Sequence, residues 1–504
     1  MTTTPTEPGT LAPEAHAHHG TAPSAAAPGG ALIGADYDPR LTNEDLAPLR
    51  EQRWGAYNIF AFWMSDVHSV GGYVTAGSLF ALGIAAWQVL IALVVGIVIV
   101  QVFVNLVAKP SQKTGVPYPV INRAVFGVKG ANIPAIIRGL IAVAWYGVQT
   151  YLAASSLNII WLKFIPGSES LLDHSFLGLE ALGWISFAVL WVAQAALFWR
   201  GMETIKKFID FAGPAVYVVM IILAVYLVSQ AGWSNIDLEL HTGPTLTGWA
   251  TVSTMIGAIA LVVSYFSGPM LNYGDFARYG RTFAAVKRGN FLGLPINFLA
   301  FALLVVITTA ATLPVYGELI TDPVETVARL DNTYAVVLGA LTFMIATIGI
   351  NIVANFVSPA FDFSNVAPQH ISWRGGGMIA AVGSVLITPW NLYSSPEVIH
   401  YTLDTLGAFI GPLYGVLIAD YYLVQKRRVV VDDLYTMRAD GTYHYRKGYN
   451  PVAIAATAGG ATIAMLVVLL GSADAAAFSW FIGAGIAFAV HRGLSRRRAA
   501  AAAG

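Results

Sequence analysis

The chain has 504 residues, 56% of them hydrophobic and only 11% charged, whereas soluble domains carry about 25% charged residues, so an ordinary soluble enzyme or binding domain is excluded in favour of a membrane protein. Its 28 basic and 28 acidic side chains cancel, which gives no electrostatic basis for a nucleic-acid partner. Cysteine is absent, which removes disulfides, thiol chemistry and cysteine-based metal sites.

Residues 1–53 form a polar stretch rich in Ala, Pro, Gly, Thr and His without the features of a secretory signal. They are expected to be a largely disordered cytoplasmic tail. His16, His18 and His19 lie in it; a solvated low-complexity tail is the reading, and no metal site or cofactor is expected. From Trp54 onward, apolar runs long enough to cross a bilayer recur at 54–82, 86–108, 133–162, 178–199, 206–229, 249–273, 289–313, 334–362, 377–391, 400–424, 451–470 and 477–491. Residues 426–450 read as a cytoplasmic loop and 492–504 as a basic cytoplasmic tail.

The connections alternate in charge. Lys109, Lys113, Arg123 and Lys129 follow the second run; Arg200, Lys206 and Lys207 the fourth; Arg278, Arg281, Lys287 and Arg288 the sixth; Lys426 to Arg428 the tenth. The intervening connections carry acids such as Glu169, Asp173, Asp237, Glu318 and Asp322. Positive charge collects on the cytoplasmic side, so both termini are expected there, in a multi-pass protein of the plasma (inner) membrane.

Two runs are interrupted. The first contains Ser65-Asp66-Val67-His68-Ser69-Val70-Gly71-Gly72 and the sixth contains Ser267-Gly268-Pro269. Glycine pairs and proline weaken a helix and free backbone groups. Breaks at corresponding places in two halves mark the central site of inverted-repeat transporters, although packing kinks use the same residues. Polar pairs one turn apart occur in the third run, Trp145 with Gln149, and in the eighth, Asn351 with Asn355. Their i, i+4 spacing puts each pair on one helix face. An aromatic plane with three amides suits a flat heterocycle bearing ring N–H and C=O groups. Interhelical hydrogen bonding uses the same amides, and the pairs alone leave both readings open. Asp275 and Arg278, where the sixth run ends, fit either a gate or an interfacial ion pair.

The runs GVPYPVINRAVFGVKGANIPAIIRGLIAVAWYGVQTYLA (Gly115–Ala153), LNYGDFARYG (Leu271–Gly280), NIVANFVSPAFDFSNVAP (Asn351–Pro368) and ITPWNL (Ile387–Leu392) resemble the nucleobase–cation symporter-1 family, the cytosine, purine, uracil, thiamine and allantoin permeases. The likeness covers residues 54–435 and includes the family's benzyl-hydantoin carrier. It implies an all-α integral membrane fold of about twelve transmembrane helices. That fold is a LeuT-type five-plus-five inverted repeat with discontinuous first and sixth helices, plus two C-terminal helices. The first repeat would be 54–230, the second 249–425, and the accessory helices 451–491. By the same resemblance Trp145 stacks on the substrate ring, Gln149 and Asn355 bond it, Asn351 lies nearby, and Gly268 belongs to the sixth-helix break. Phe266 takes the place of a second stacking tryptophan.

The family's sodium site uses carbonyls of the broken first helix, near Ser69 and Gly71, and two hydroxyls just before the first asparagine of the eighth. Here those positions are Gly349 and Ile350. A hard cation needs several oxygen ligands, so proton coupling is expected in place of sodium, with Asp66 and His68 as proton carriers; local hydrogen bonding is their alternative role. Gly213-Pro214 and Gly411-Pro412 fall at matching places in the fifth and tenth helices and are expected flex points. No nucleotide loop, nucleophile motif or metal spacing suggests an enzyme. The expected function is import of a nucleobase or cyclic ureide (uracil, cytosine, allantoin or hydantoin type) by alternating access. The alternative is a sensor binding such ligands without net flux.

Overall fold

The computed structural model describes residues 30–240, 244–393 and 396–503; the His16, His18 and His19 tail lies outside them. The first crossing is two helices, α1 (Ala56–Val67) and α2 (Val70–Phe80), and α3 (Ala86–Thr114) makes the second. After α4 (Tyr118–Phe126) come α5 (Asn132–Phe164), α6 (Ala181–Trp199) and α7 (Met202–Ala231). The second half opens with α8 (Trp249–Tyr265), α9 (Ser267–Leu271) and α10 (Gly274–Ala277), the broken sixth crossing. The seventh crossing is α11 (Phe283–Phe291) and α12 (Asn297–Tyr316), joined through a π-helical turn. After α13 (Pro323–Ala328), the eighth crossing is α14 (Thr333–Ile350) running into α15 (Ser358–Val366). Then follow α16 (Trp373–Leu386), α17 (Pro396–Ala419), α18 (Pro451–Leu470), α19 (Ala473–Ala476) and α20 (Ser479–Ala503).

Among the described residues, 8 helices are each long and apolar enough to cross a membrane alone. The other crossings are the two broken ones, the short α16, and α20, whose apolar part runs into the Arg496–Arg498 cluster. Valines 94, 98 and 102 on α3 and Val218, Ile222 and Val225 on α7 stay exposed, as expected of faces turned to lipid. Lipid tails are as apolar as these side chains, so close packing holds the helices together. Glycine provides it: a Cβ on Gly213 would sit 2.8 Å from Met64 Cβ, and one on Gly411 would sit 2.3 Å from the Trp480 carbonyl oxygen. The two expected flex points are therefore places where α7 meets α1 and α17 meets α20 at backbone distance.

Both breaks have local causes. The first restarts because Ser69 is extended and its hydroxyl accepts from Gly72 N at 2.9 Å, an N-cap inside the bilayer. The freed Val70 N–H is taken by Thr347 Oγ1 at 3.3 Å. In the sixth crossing the helix ends at Tyr265, and Phe266 (φ −83°, ψ 0°) turns the chain ahead of Pro269, which offers no N–H. The eighth crossing bends differently, with Asn351–Val357 π-helical, a local widening common at functional sites.

One expectation is corrected. Disorder does not extend over all of 1–53: Leu41, Leu46, Ala47 and Leu49 are buried. Arg278 secures this segment by donating to the carbonyls of Asp45, Ala47 and Gly115 at 3.0, 2.7 and 2.9 Å. The 426–450 connection completes the seal: Tyr435 stacks on Tyr37 with ring centroids 4.3 Å apart and donates to Leu46 O at 2.8 Å. Composition hid this because a few leucines suffice when a folded surface receives them. The apolar runs gave no sign of the two short helices α4 and α13, which sit after the second and seventh crossings and so occupy equivalent places in the two halves.

Candidate functional site

The two breaks, α5 and the π-helical segment meet around a cavity of about 520 Å³ of empty space, including its mouth. Trp145 and Gln149 of α5 face it one turn apart, as do Asn355, Ile350, Asp66 and Gly268. Leu403, Leu406 and Ile410 of α17 lie against it. Gln149 is buried, and its Oε1 has no hydrogen-bond partner among the described residues. Behind it, Gly71 brings the backbone of α2 close: a Cβ there would lie 3.4 Å from Gln149 Nε2. A glutamine held against a helix with its acceptor unspent is an arrangement for receiving an N–H from a ligand.

The asparagines divide their work. Asn351 is fully buried, and Tyr146 O, Thr150 Oγ1 and Gln194 Oε1 share the two N–H groups of its Nδ2 at 3.1, 3.0 and 2.7 Å. It also accepts from Asn355 Nδ2 at 3.2 Å. Asn351 therefore ties the eighth crossing to α5 and α6 and aims Asn355, which lines the cavity. Asn351→Ala strands several buried polar groups, each costing about 1–3 kcal/mol, and is expected to lower the melting temperature of purified protein. Asn355→Ala should leave that temperature near the parent's and weaken substrate binding; equal melting temperatures for the two variants would contradict the division.

Phe266 does not reach the cavity. It is fully buried and meets Trp63, Tyr265 and Phe298 edge-on, with centroids 6.5, 5.3 and 5.5 Å away. The helix ends one residue earlier, so the break rotates Phe266 toward α12 and presents Tyr265, Ser264 and Ser267. His68 also points away: Nε2 meets Asn297 Oδ1 at 3.0 Å and the ring stacks on Phe301 at 5.0 Å. Ser69 is spent on its cap, and a Cβ on Gly349 would sit 3.5 Å from Ser65 Cβ, at the contact of α14 with α1. Sequence reasoning missed Arg138, which lines the cavity and donates to Ala354 O at 3.1 Å. The signal was available, since an arginine inside an apolar run is a functional pointer by default.

Residues 47–483 match the family described as permeases for cytosine/purines, uracil, thiamine and allantoin. The chain belongs to this permease family. The allantoin permease of Bacillus subtilis is 37% identical over 456 residues, 89% of this chain and 92% of that one. The purine-uracil permease NCS1 of Arabidopsis thaliana is 30% identical over 433 residues, covering 84% and 71%. Among solved structures, Mhp1, a nucleobase-cation-symport-1 family transporter held closed with bromovinylhydantoin bound, aligns with a TM-score of 0.72 at 22% identity over 94% of this chain and 96% of that one. The permease is thus an all-α, multi-pass membrane transporter with the inverted-repeat fold, and it is a carrier, not an enzyme.

Proposed function

We propose that this permease imports a cyclic ureide or nucleobase, with allantoin the first candidate, by proton-coupled alternating access in the plasma membrane, both termini on the cytoplasmic side. The observation that carries the substrate class is the Trp145 plane beside the unspent Gln149 acceptor and Asn355. Rings in this class present adjacent N–H and C=O groups, which a glutamine and an asparagine satisfy in complementary directions. Allantoin comes first because a permease named for it is 37% identical over most of both chains. The alternation of basic and acidic connections supports the orientation. With that orientation Leu403 and Leu406, in the half of α17 that follows the acidic connection, would lie on the outer side of the substrate.

Two positions support proton coupling. Gly349 and Ile350 offer no side-chain oxygen, and the nearby Thr347 hydroxyl already accepts from Val70 N. A sodium ion in this place would lack the oxygen shell it requires. Asp66, buried at the end of α1 with no hydrogen-bond partner for Oδ1 among the described residues, faces the cavity and is the proton carrier of this reading. His68 serves the scaffold instead. In proteoliposomes, radiolabelled allantoin should accumulate under an inward proton gradient without sodium. Accumulation that needs sodium would overturn the coupling, and uptake of uracil or a hydantoin but not allantoin would move the substrate within its class.

A further inference from the structure

Beyond the cavity, toward the basic connections, lies a group of ionisable side chains that substrate binding does not use. Arg138 of α5 is buried; its Nη2 reaches the cavity wall, whereas its Nε and Nη1 lack hydrogen-bond partners among the described residues. Asp362 on α15 is fully buried, and neither of its carboxylate oxygens has a hydrogen-bond partner among the described residues. Asp275 on α10, also fully buried, accepts from Tyr118 N at 2.8 Å through one oxygen, has the Ser358 hydroxyl beside it and lies in electrostatic reach of Asp362. Tyr118 at the start of α4 closes the group, its own hydroxyl buried beside Asn122. Arg138 is in electrostatic reach of Asp362, Tyr118, Asp275 and Asp66. Asp275 also feels Arg278, whose own donors are engaged by backbone carbonyls.

The charges do not balance. Asp66, Asp275 and Asp362 face the guanidiniums of Arg138 and Arg278, which leaves one negative charge over among residues at or below 1% exposure. An unpaired charge taken out of water is strongly disfavoured, and carboxylates sharing one site resolve the conflict by holding a proton between them. We propose that Asp275 and Asp362 form a proton-binding site on the inner side of the substrate cavity, with Arg138 as the counter-ion shared between this pair and Asp66. The proposal rests on the proton-coupled reading above and extends it with a second site and a route.

The consequence for transport follows from the single shared cation. With a proton on the Asp275–Asp362 pair, Arg138 is free to balance an ionised Asp66. Once that proton has left for the water on the basic-loop side, Arg138 is drawn to the pair, and Asp66 must itself be protonated to stay buried. Protonation at the substrate and on the inner side are then linked through one arginine, and the two carboxylate positions titrate as a unit. No bond other than O–H forms or breaks: a proton from bulk water on one side returns to bulk water on the other.

The test uses the full chain in proteoliposomes, with the parent, Asp275→Asn and Asp362→Asn compared. Asparagine keeps the shape, and in Asp275→Asn it keeps an acceptor for Tyr118 N. One proton per substrate supports about tenfold accumulation for each unit of imposed pH gradient. The parent should approach that, whereas both variants should equilibrate allantoin near onefold while still exchanging labelled for unlabelled substrate. Variants that accumulate like the parent would overturn the site and leave the coupling reading standing. A parent that exchanges allantoin but never accumulates it under the gradient would sink the coupling reading itself. A second measurement needs neither a folded variant nor a transported substrate. Dicyclohexylcarbodiimide reacts with protonated carboxyls in apolar surroundings, so mass spectrometry of the treated parent should find its adduct on Asp275 or Asp362, in greater yield at pH 6 than at pH 9. Absence of any adduct on either residue at both pH values would refute the site.

Discussion

Replacing Gln149 with leucine is expected to cut uptake at sub-saturating substrate by about a hundredfold. Gln149 is buried with an unsatisfied acceptor, and leucine has nearly its volume. The variant should therefore fold, and its substrate-free melting temperature should hold or rise, because a buried orphan acceptor has been removed. In the proposed binding mode, what disappears is a pair of hydrogen bonds to the ring. The ring N–H would then enter the cavity without a partner, at about 1–3 kcal/mol for each stranded group, and every 1.4 kcal/mol is about tenfold in affinity. Initial rates of allantoin uptake across a concentration series, read beside a thermal melt, separate lost binding from lost folding. Uptake within about threefold of the parent would remove Gln149 from the substrate site.

Gly411→Val should have the largest effect on the protein itself. A Cβ at this position already falls 2.3 Å from the Trp480 carbonyl oxygen and 3.0 Å from its carbon. Those atoms are backbone of α20 and cannot swing aside as a side chain end would. Overpacking of this kind costs about 1–3 kcal/mol or more, so the variant should melt lower and be recovered poorly. Gly411→Ala distinguishes packing from flexing, since a hinge would lose transport rate without losing stability. A parental melting temperature combined with slow transport would restore Gly411 as a flex point. Because α17 also presents Leu406 and Ile410 to the cavity, a displaced α17 should weaken substrate retention as well.

Much of the site was legible because its signals are local. Trp145 and Gln149 share a face at a spacing any helix honours, and serine before a glycine pair marks the first break wherever the helices end up. Phe266 failed for the opposite reason: which way an aromatic turns at a break depends on the residue where hydrogen bonding stops, and that is decided by α12 and Trp63 packed against it. Asn351 looked like half of a binding pair, yet its partners Thr150 and Gln194 lie on two other helices that no spacing in the eighth run reveals. The helix α13 announced itself with Asp322-Pro323, a side-chain cap followed by proline at the first helical position, but it is too short for periodicity to confirm. The segment 30–53 was illegible because its order is borrowed from surfaces contributed hundreds of residues later.

That borrowing sets an order of assembly. Leu46 and Tyr435 are joined by a hydrogen bond across a sequence separation of 389 residues. At about 5–20 residues per second of synthesis, the stretch around Leu46 waits roughly 20–80 s after leaving the ribosome before Tyr435 exists to receive it. Through that interval the first crossings enter the bilayer with Arg278 either unmade or lacking its full set of carbonyl partners. The face that carries the basic connections is thus closed late, by a segment made first, and ribosome-bound chains stopped before Tyr435 should expose the 30–53 segment to added protease whereas released chains should not.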